Sequence, residues 1–227
     1  MSGSAMAGRV SRILADPEPR RWVFAGDSIT HGAKHTWGER DFVEIFAERL
    51  RTELRRRGDH VITTAVSGWR VQDLESDLEW SLLQYRPHVA SFMFGLNDCA
   101  TSEPDLSAFA TSYLRVVDAA LAQGAAVLLH TPNRLLATES PERRANLPAY
   151  VDAVREIASM RDVVLIDHHA AWAMAEQNGE VEFWIDHGCH PNGAGHRALA
   201  RLLLERLGLW DPGSETGSFF IPGAHNL

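Results

Sequence analysis

The stretch Val23-Phe24-Ala25-Gly26-Asp27-Ser28-Ile29-Thr30 decides how the rest of the chain is read. A short apolar run ends abruptly in Gly-Asp-Ser, and small or polar residues continue through His31 and Gly32. The pattern predicts a buried strand that stops at a glycine able to turn tightly, leaving Ser28 at the strand's carboxyl end. In a parallel α/β sheet that end is where ligands bind. A strand-to-helix turn in which Asp27 or Ser28 merely caps backbone amides fits the same residues. The decision therefore rests on what lies downstream.

Further strands of the same kind follow. Residues 60–66 form a β-branched run that ends at Ser67-Gly68-Trp69, and 89–94 form a continuous apolar run that ends in Gly95-Leu96-Asn97-Asp98. A run without alternation is what a strand buried on both faces requires. Residues 125–130 and 163–166 read as the fourth and fifth strands.

Helical patterns lie between the strands. Asp41 opens one, with Glu44 in capping-box spacing and Phe42, Ile45, Phe46, Leu50 and Leu54 on one face. Another begins near Asp73. Leu106, Phe109, Ala110, Tyr113, Val117, Ala120 and Leu121 make a third stripe, closed by Gly124. A fourth is expected over 148–160, and a last one runs through Ala194, Ala198, Leu199, Leu202 and Leu203. The segment between the fifth strand and that helix reads as irregular. Strands alternating with helices predict an α/β fold: three layers, with a five-stranded parallel sheet in flavodoxin-like order 2-1-3-4-5 and right-handed crossovers.

The 227 residues suit one domain. Its expected span is 20–210, with residues 1–19 a leader, either disordered or in part not native to the protein. Residues 211–227 are expected to be a tail, either disordered or docked through Phe219-Phe220-Ile221. A net charge of −8 argues against nucleic acid or an anionic membrane as partner. No apolar run reaches membrane-spanning length, and the N-terminus lacks a signal-peptide pattern. Cys99 and Cys189 alone do not make a disulfide framework, so a cytoplasmic protein is the default expectation. Oligomeric state is left open.

Ser28, Gly68 and Asn97 end three different strands, and His190 lies just before the last helix. All four should project at one edge of the sheet. A serine hydroxyl needs a base to become a nucleophile, which histidine supplies near neutral pH. A tetrahedral oxyanion needs preorganised donors, and the Ser28 and Gly68 amides with the Asn97 side chain would provide them.

On these residues the sequence resembles the SGNH hydrolase superfamily, the GDSL esterases and lipases. Gly26-Asp27-Ser28-Ile29 matches the first block, Gly68 the second, Gly95-x-Asn97-Asp98 the third and His190-Pro191 the fifth. The resemblance implies a three-layer hydrolase with Ser28 as nucleophile, His190 as base, Ser28, Gly68 and Asn97 as oxyanion hole, and neither metal nor organic cofactor. It implies a small-molecule ester substrate with a small or medium acyl group. An acyltransferase or thioesterase using the same site, or a binding module that has kept the fold, stands as the alternative.

One position departs from the pattern. The family's acid usually sits three residues before the histidine, and here that residue is His187. Asp186, one place earlier, is expected to take the role. The alternatives are a backbone carbonyl holding His190, or Asp186 as a turn cap only.

Other residues have competing readings. Asp27 and Asp98 read as loop organisers, Asp27 also as substrate-proximal. Asp186, His187 and His190 offer a metal-site reading, against which Ser28 and Asn97 weigh. His168-His169 read as a solvated loop pair, and His130 as a cleft residue or a structural one. Cys99 and Cys189 read as small buried thiols. Trp37, Trp69, Phe183 and Trp184 are candidate walls of a substrate pocket, or simple loop-base packing.

Overall fold

In a computed structural model, residues 3–32, 34–101 and 103–219 are described. The chain opens with helix α1 (Gly3–Ala15) and strand β1 (Arg21–Gly26), which leads into the single turn α2 (Ser28–His31). Helix α3 (Phe42–Glu48) continues as a π-helical turn, Arg49–Glu53, before β2 (His60–Thr63). Two short helices, α4 (Val71–Ser76) and α5 (Leu78–Ser81), precede β3 (Val89–Met93). Then come α6 (Leu106–Ala122), β4 (Ala126–His130), α7 (Pro141–Met160), β5 (Val164–Ile166) and α8 (His168–Gln177). A hairpin of β6 (Ile185–Asp186) and β7 (His190–Pro191) leads into α9 (Gly193–Arg206).

The five long strands form one parallel sheet in the order β2-β1-β3-β4-β5, as the sequence predicts. Their apolar runs bury β1, β3 and β4 almost completely. The step from β1 to β2 goes one way along the sheet and the three later steps go the other. Right-handed crossovers then send α3 to one face and α4, α6 and α7 to the opposite face. The packing agrees, with α9 returning onto α3 while α4 and α7 both pack on α6.

Register is what positions the site. Gly26 pairs with Met93, Met93 with His130, and His130 with Ile166. These residues form one row across the sheet, so the loops that follow them all leave from the same edge.

Several elements differ from expectation. Residues 3–15, read as part of an unstructured leader, form a helix that lies against β4 and β5 and buries Met6 and Val10. Helix α7 begins at Pro141, seven residues before the proline taken as its start. Ser140 caps it through Arg143 N–H, and Pro141 occupies the first turn, where a missing N–H costs nothing. The irregular stretch contains α8, capped by Asp167, and the β6–β7 hairpin. In the tail, Thr216 donates to Glu53 and Phe219 packs partly against the core. Phe220 and Ile221 lie outside the described residues.

His168 is not a solvated loop residue. It is fully buried, its Nε2 is 2.9 Å from His130 Nδ1, and His130 Nε2 is 2.9 Å from Ser91 Oγ. His130 is therefore structural. Burial holds His130 well below the ordinary imidazole range and lowers His168 to about 3. Such a group is neutral in the fold and chargeable only in the unfolded chain. Its stabilising share is complete above about pH 6.5 and declines as pH falls toward the folded value. Asp27 and Asp98 are raised by burial to about 7 and about 6 and act in the opposite sense, so a paired comparison isolates the histidine. Urea unfolding of wild type and His168→Gln at about pH 7.5 and about pH 5 should show the variant's deficit shrinking by about 2 kcal/mol at the lower pH. A deficit independent of pH would contradict a buried neutral His168.

Candidate active site

The end of β1 leaves no space for a side chain at Gly26. A Cβ there would lie 2.3 Å from Thr30 Oγ1 and 2.9 Å from the Met93 carbonyl oxygen. That close approach lets the chain turn at once into α2. Asp27 caps the turn by accepting from Ile29 N–H at 3.0 Å, and Ser28 becomes its first helical residue. Asp27 is only 2% exposed and faces inward, so it organises the loop and is not a pocket wall.

The segment after β2 closes a turn at 66–69 through Trp69 N–H to the Val66 carbonyl at 3.1 Å. Gly68 sits third in that turn with φ +88°, a conformation that favours glycine, and the space where its Cβ would be is open. Asn97 Nδ2 donates to the Trp69 carbonyl at 3.0 Å, tying the loop after β3 to this turn and leaving the other amide hydrogen available. Asp98 accepts from Val71 and Gly95 N–H groups and fixes both loops from below. Its carboxyl is raised to about 6 by burial, and that of Asp27 to about 7 by burial with Asp98 adding to it.

His190 reaches the same place from the other end of the chain. Asp186 and His190 face each other across the antiparallel hairpin, joined by a turn in which His187 has φ 49° and Gly188 φ 83°. The Gly188 carbonyl accepts from Leu136 N–H at 2.8 Å, which anchors the turn. His190 Nε2 lies 3.0 Å from Ser28 Oγ. His35, unremarked in the sequence, stacks on the His190 ring at 4.0 Å with planes 15° apart. Burial, then His35 and Arg143, lower His190 to about 4.

The structure thus brings Ser28, His190, Gly68 and Asn97 to one edge. A hydroxyl meets an imidazole nitrogen there, beside an exposed glycine turn and a free amide hydrogen.

Asp186 does not hold His190. Its Oδ2 accepts from Trp37 Nε1 at 2.5 Å and its Oδ1 from Asn192 Nδ2 at 3.5 Å. The carboxylate follows those donors, and His190 Nδ1 faces Cys189 Sγ instead, at 3.4 Å. Cys189 also meets Arg143, whose Nη1 is 3.4 Å from the sulfur and 3.0 Å from Glu139 Oε2. Neither Glu139 nor Arg143 carries a sequence signal, because they stand at the start of a helix that the sequence pattern predicts only from 148 onward.

The aromatic residues divide. Trp37 is 73% exposed and Phe183 61% exposed, both open to solvent near the site. Trp184 is fully buried against Trp172 and is no pocket wall, while Trp69 packs partly on the core. Among the described residues no three His, Cys, Asp or Glu side chains converge as metal ligands would.

The GDSL-like lipase/acylhydrolase family matches residues 24–198. No curated protein matches the chain. Among solved structures, an acetylxylan esterase from Geobacillus stearothermophilus superposes with a TM-score of 0.74 at 23% identity, covering 83% of this chain and 94% of its own. An α/β-hydrolase enzyme from the metagenome of Lake Arreo, Spain, gives 0.73 at 22% identity, covering 84% of this chain and 95% of its own.

The crowding at Gly26 makes a direct prediction. Gly26→Ala must push Thr30 or the β3 carbonyl aside and should destabilise the fold by about 1–3 kcal/mol in urea unfolding. Activity per folded molecule should fall as well, because Ser28 is carried on the displaced turn. An unchanged midpoint would contradict the close approach.

Proposed function

The chain belongs to the GDSL-like lipase/acylhydrolase family and is an ester hydrolase of the SGNH type, and from that premise we propose that it is a serine esterase acting on short acyl esters through an acyl-enzyme on Ser28. The observation that carries the reading is the 3.0 Å contact between Ser28 Oγ and His190 Nε2. Ser28 Oγ attacks the ester carbonyl as its proton passes to His190 Nε2. The oxyanion is received by Ser28 N–H, Gly68 N–H and the second hydrogen of Asn97 Nδ2. His190 then gives its proton to the departing alkoxide, and the acyl group stays on Ser28. Water, activated by the same imidazole, attacks the acyl-enzyme and releases the acid. Ser28 and His190 are part-exposed and Gly68 is exposed, which gives that water ready access.

A short acyl group such as O-acetyl is the substrate class proposed. Its support is the likeness to an acetylxylan esterase, and the exposed Trp37 face beside the site offers a flat apolar surface to the alcohol part. Acetylated sugars and p-nitrophenyl esters of increasing chain length are the panel that tests it. Acyl transfer to an added alcohol would show in the same product analysis.

Ser28→Ala should keep the fold and lower kcat by at least about 10³-fold, while a serine-directed phosphonate labels only the protein that retains Ser28. Retained hydrolysis by Ser28→Ala would remove the nucleophile. The pH profile has a definite sign. The base acts only when neutral, and His190 is lowered toward about 4, so kcat/KM should already be on its plateau near pH 6. An acid limb centred at or above about 6.5 in both wild type and Asp27→Asn would contradict this buried neutral imidazole.

A further inference from the structure

A serine esterase needs its histidine in one tautomer. Nε2 must be bare to take the serine proton, so Nδ1 must carry the hydrogen and find an acceptor for it. The carboxylate expected in that role, Asp186, is spoken for by Trp37 and Asn192. The atom that faces His190 Nδ1 is the sulfur of Cys189, at 3.4 Å.

The sulfur is itself held. Arg143 Nη1 donates to it at 3.4 Å, and the same nitrogen pairs with Glu139 Oε2 at 3.0 Å. The Cys189 sulfur and the Glu139 carboxylate thus stand side by side on one Arg143 nitrogen. Burial pushes the thiol up to about 12; burial also works to raise Glu139, but the Ser140 N–H, then Arg143 and the thiol, hold it below its ordinary value. The pair is therefore S–H donor and carboxylate acceptor. Glu139 lies directly under the turn, since a Cβ at Gly188 would come within 2.8 Å of Glu139 Oε2. The carbonyl of Cys189 accepts from Asn133 Nδ2 at 3.1 Å, and Arg143 Nε donates to the Leu96 carbonyl at 3.1 Å, one residue before Asn97.

We propose that Cys189, braced by Glu139 and Arg143, is the positioning residue that orients His190 in place of a triad carboxylate. The hydrogen bonds then run in one direction: Ser28 O–H to Nε2, Nδ1–H to Sγ, and S–H to Glu139. Donation of the thiol hydrogen to a carboxylate makes the sulfur a better acceptor for Nδ1–H. When Ser28 attacks, one proton moves to Nε2 and is returned to the leaving alkoxide, and the thiol keeps its hydrogen throughout. Arg143 offsets most of the charge of Glu139, so the arrangement orients the ring more than it stabilises the imidazolium. Its removal should thus cost less than the loss of a buried triad acid.

The proposal rests on the reading of Ser28 and His190 as nucleophile and base, and Ser28→Ala is the control that fails separately. The test compares Cys189→Ala, Cys189→Ser, Glu139→Gln and Asp186→Asn on one reactive ester. It records kcat, KM and the ¹⁵N resonances of the His190 ring. Charged or titratable groups facing that ring are His35 from the loop before α3, His187 of its own hairpin, Glu139 and Arg143 at the start of α7, and His196 of α9. They are unchanged in Cys189→Ala and Cys189→Ser.

Cys189→Ala should lower kcat by about 10- to 100-fold at little cost in KM and mix the two ring tautomers. Cys189→Ser, whose hydroxyl can accept from Nδ1 and donate to Glu139, should recover most of the rate and the single tautomer. Glu139→Gln should fall between them, and Asp186→Asn should leave kcat and the ring signals nearly as in wild type. Where Cys189→Ala does not fold, the serine and glutamine variants carry the comparison. A loss of about 10⁴-fold in Asp186→Asn, with wild-type behaviour in the Cys189 variants, overturns the proposal and restores the acid. Full activity of Ser28→Ala would instead overturn the reading beneath it.

Discussion

The shared register of the sheet is the constraint on which the rest depends. Gly26, Met93, His130 and Ile166 stand in one row, and every loop that follows them leaves from the same edge. Residues far apart in sequence meet without any long-range pairing of their own. Ser28 needs only to follow the glycine that ends β1, and Asn97 only to lie in the loop after β3. The last helix brings the histidine, because α9 packs on α3 and its N-terminal hairpin therefore falls beside α2. A change of register at β1 would separate the hydroxyl from the ring. The absence of space at Gly26 is one reason that register is firm.

Burial shifts the ionisable groups around the site toward their neutral forms. Around the site the fold keeps histidines neutral, His190 lowered to about 4 and His196 to about 3, chiefly by removing them from water. On the acid side, the buried Asp27 and Asp98 are raised by the same cause. Their oxygens accept backbone N–H groups at the loops that present Ser28, Gly68 and Asn97, so the energetic cost falls where rigidity is wanted. The imidazole is thereby kept neutral well below neutral pH.

Much of this was legible in the chain. Continuous apolar runs ending in Gly-Asp-Ser and Gly-Leu-Asn-Asp marked β1 and β3 and the edge they share, since a strand buried on both faces has no alternation to obscure. The sheet order followed from alternation of elements and handed crossovers. What escaped was set by tertiary contact. Helix α1 reads as small and polar, and only Met6 and Val10 meeting the core give it a place. His168 looks like a loop residue until His130 lies 2.9 Å away. Pro148 suggested a helix start, whereas Ser140 and Pro141 supply the true cap and first turn. Asp186 is drawn away from the ring for a local reason: the indole of Trp37 donates to its carboxylate, and one-dimensional spacing from a histidine says nothing of rival donors. The cluster pairs Glu139 and Arg143, at the start of α7, with Cys189 of the hairpin turn, and only tertiary contact brings the two segments together.

The claim at the centre of this account is that Ser28, and no other group, carries the acyl moiety between the two halves of the reaction. Rapid-quench mixing with p-nitrophenyl acetate, followed by peptide mass spectrometry, observes that intermediate directly. The account predicts a single acetyl group on the peptide containing Ser28, formed in a burst together with the first equivalent of nitrophenol and lost as hydrolysis proceeds. Turnover with no covalent adduct, or an adduct on Cys189, His190 or any residue other than Ser28, would contradict it.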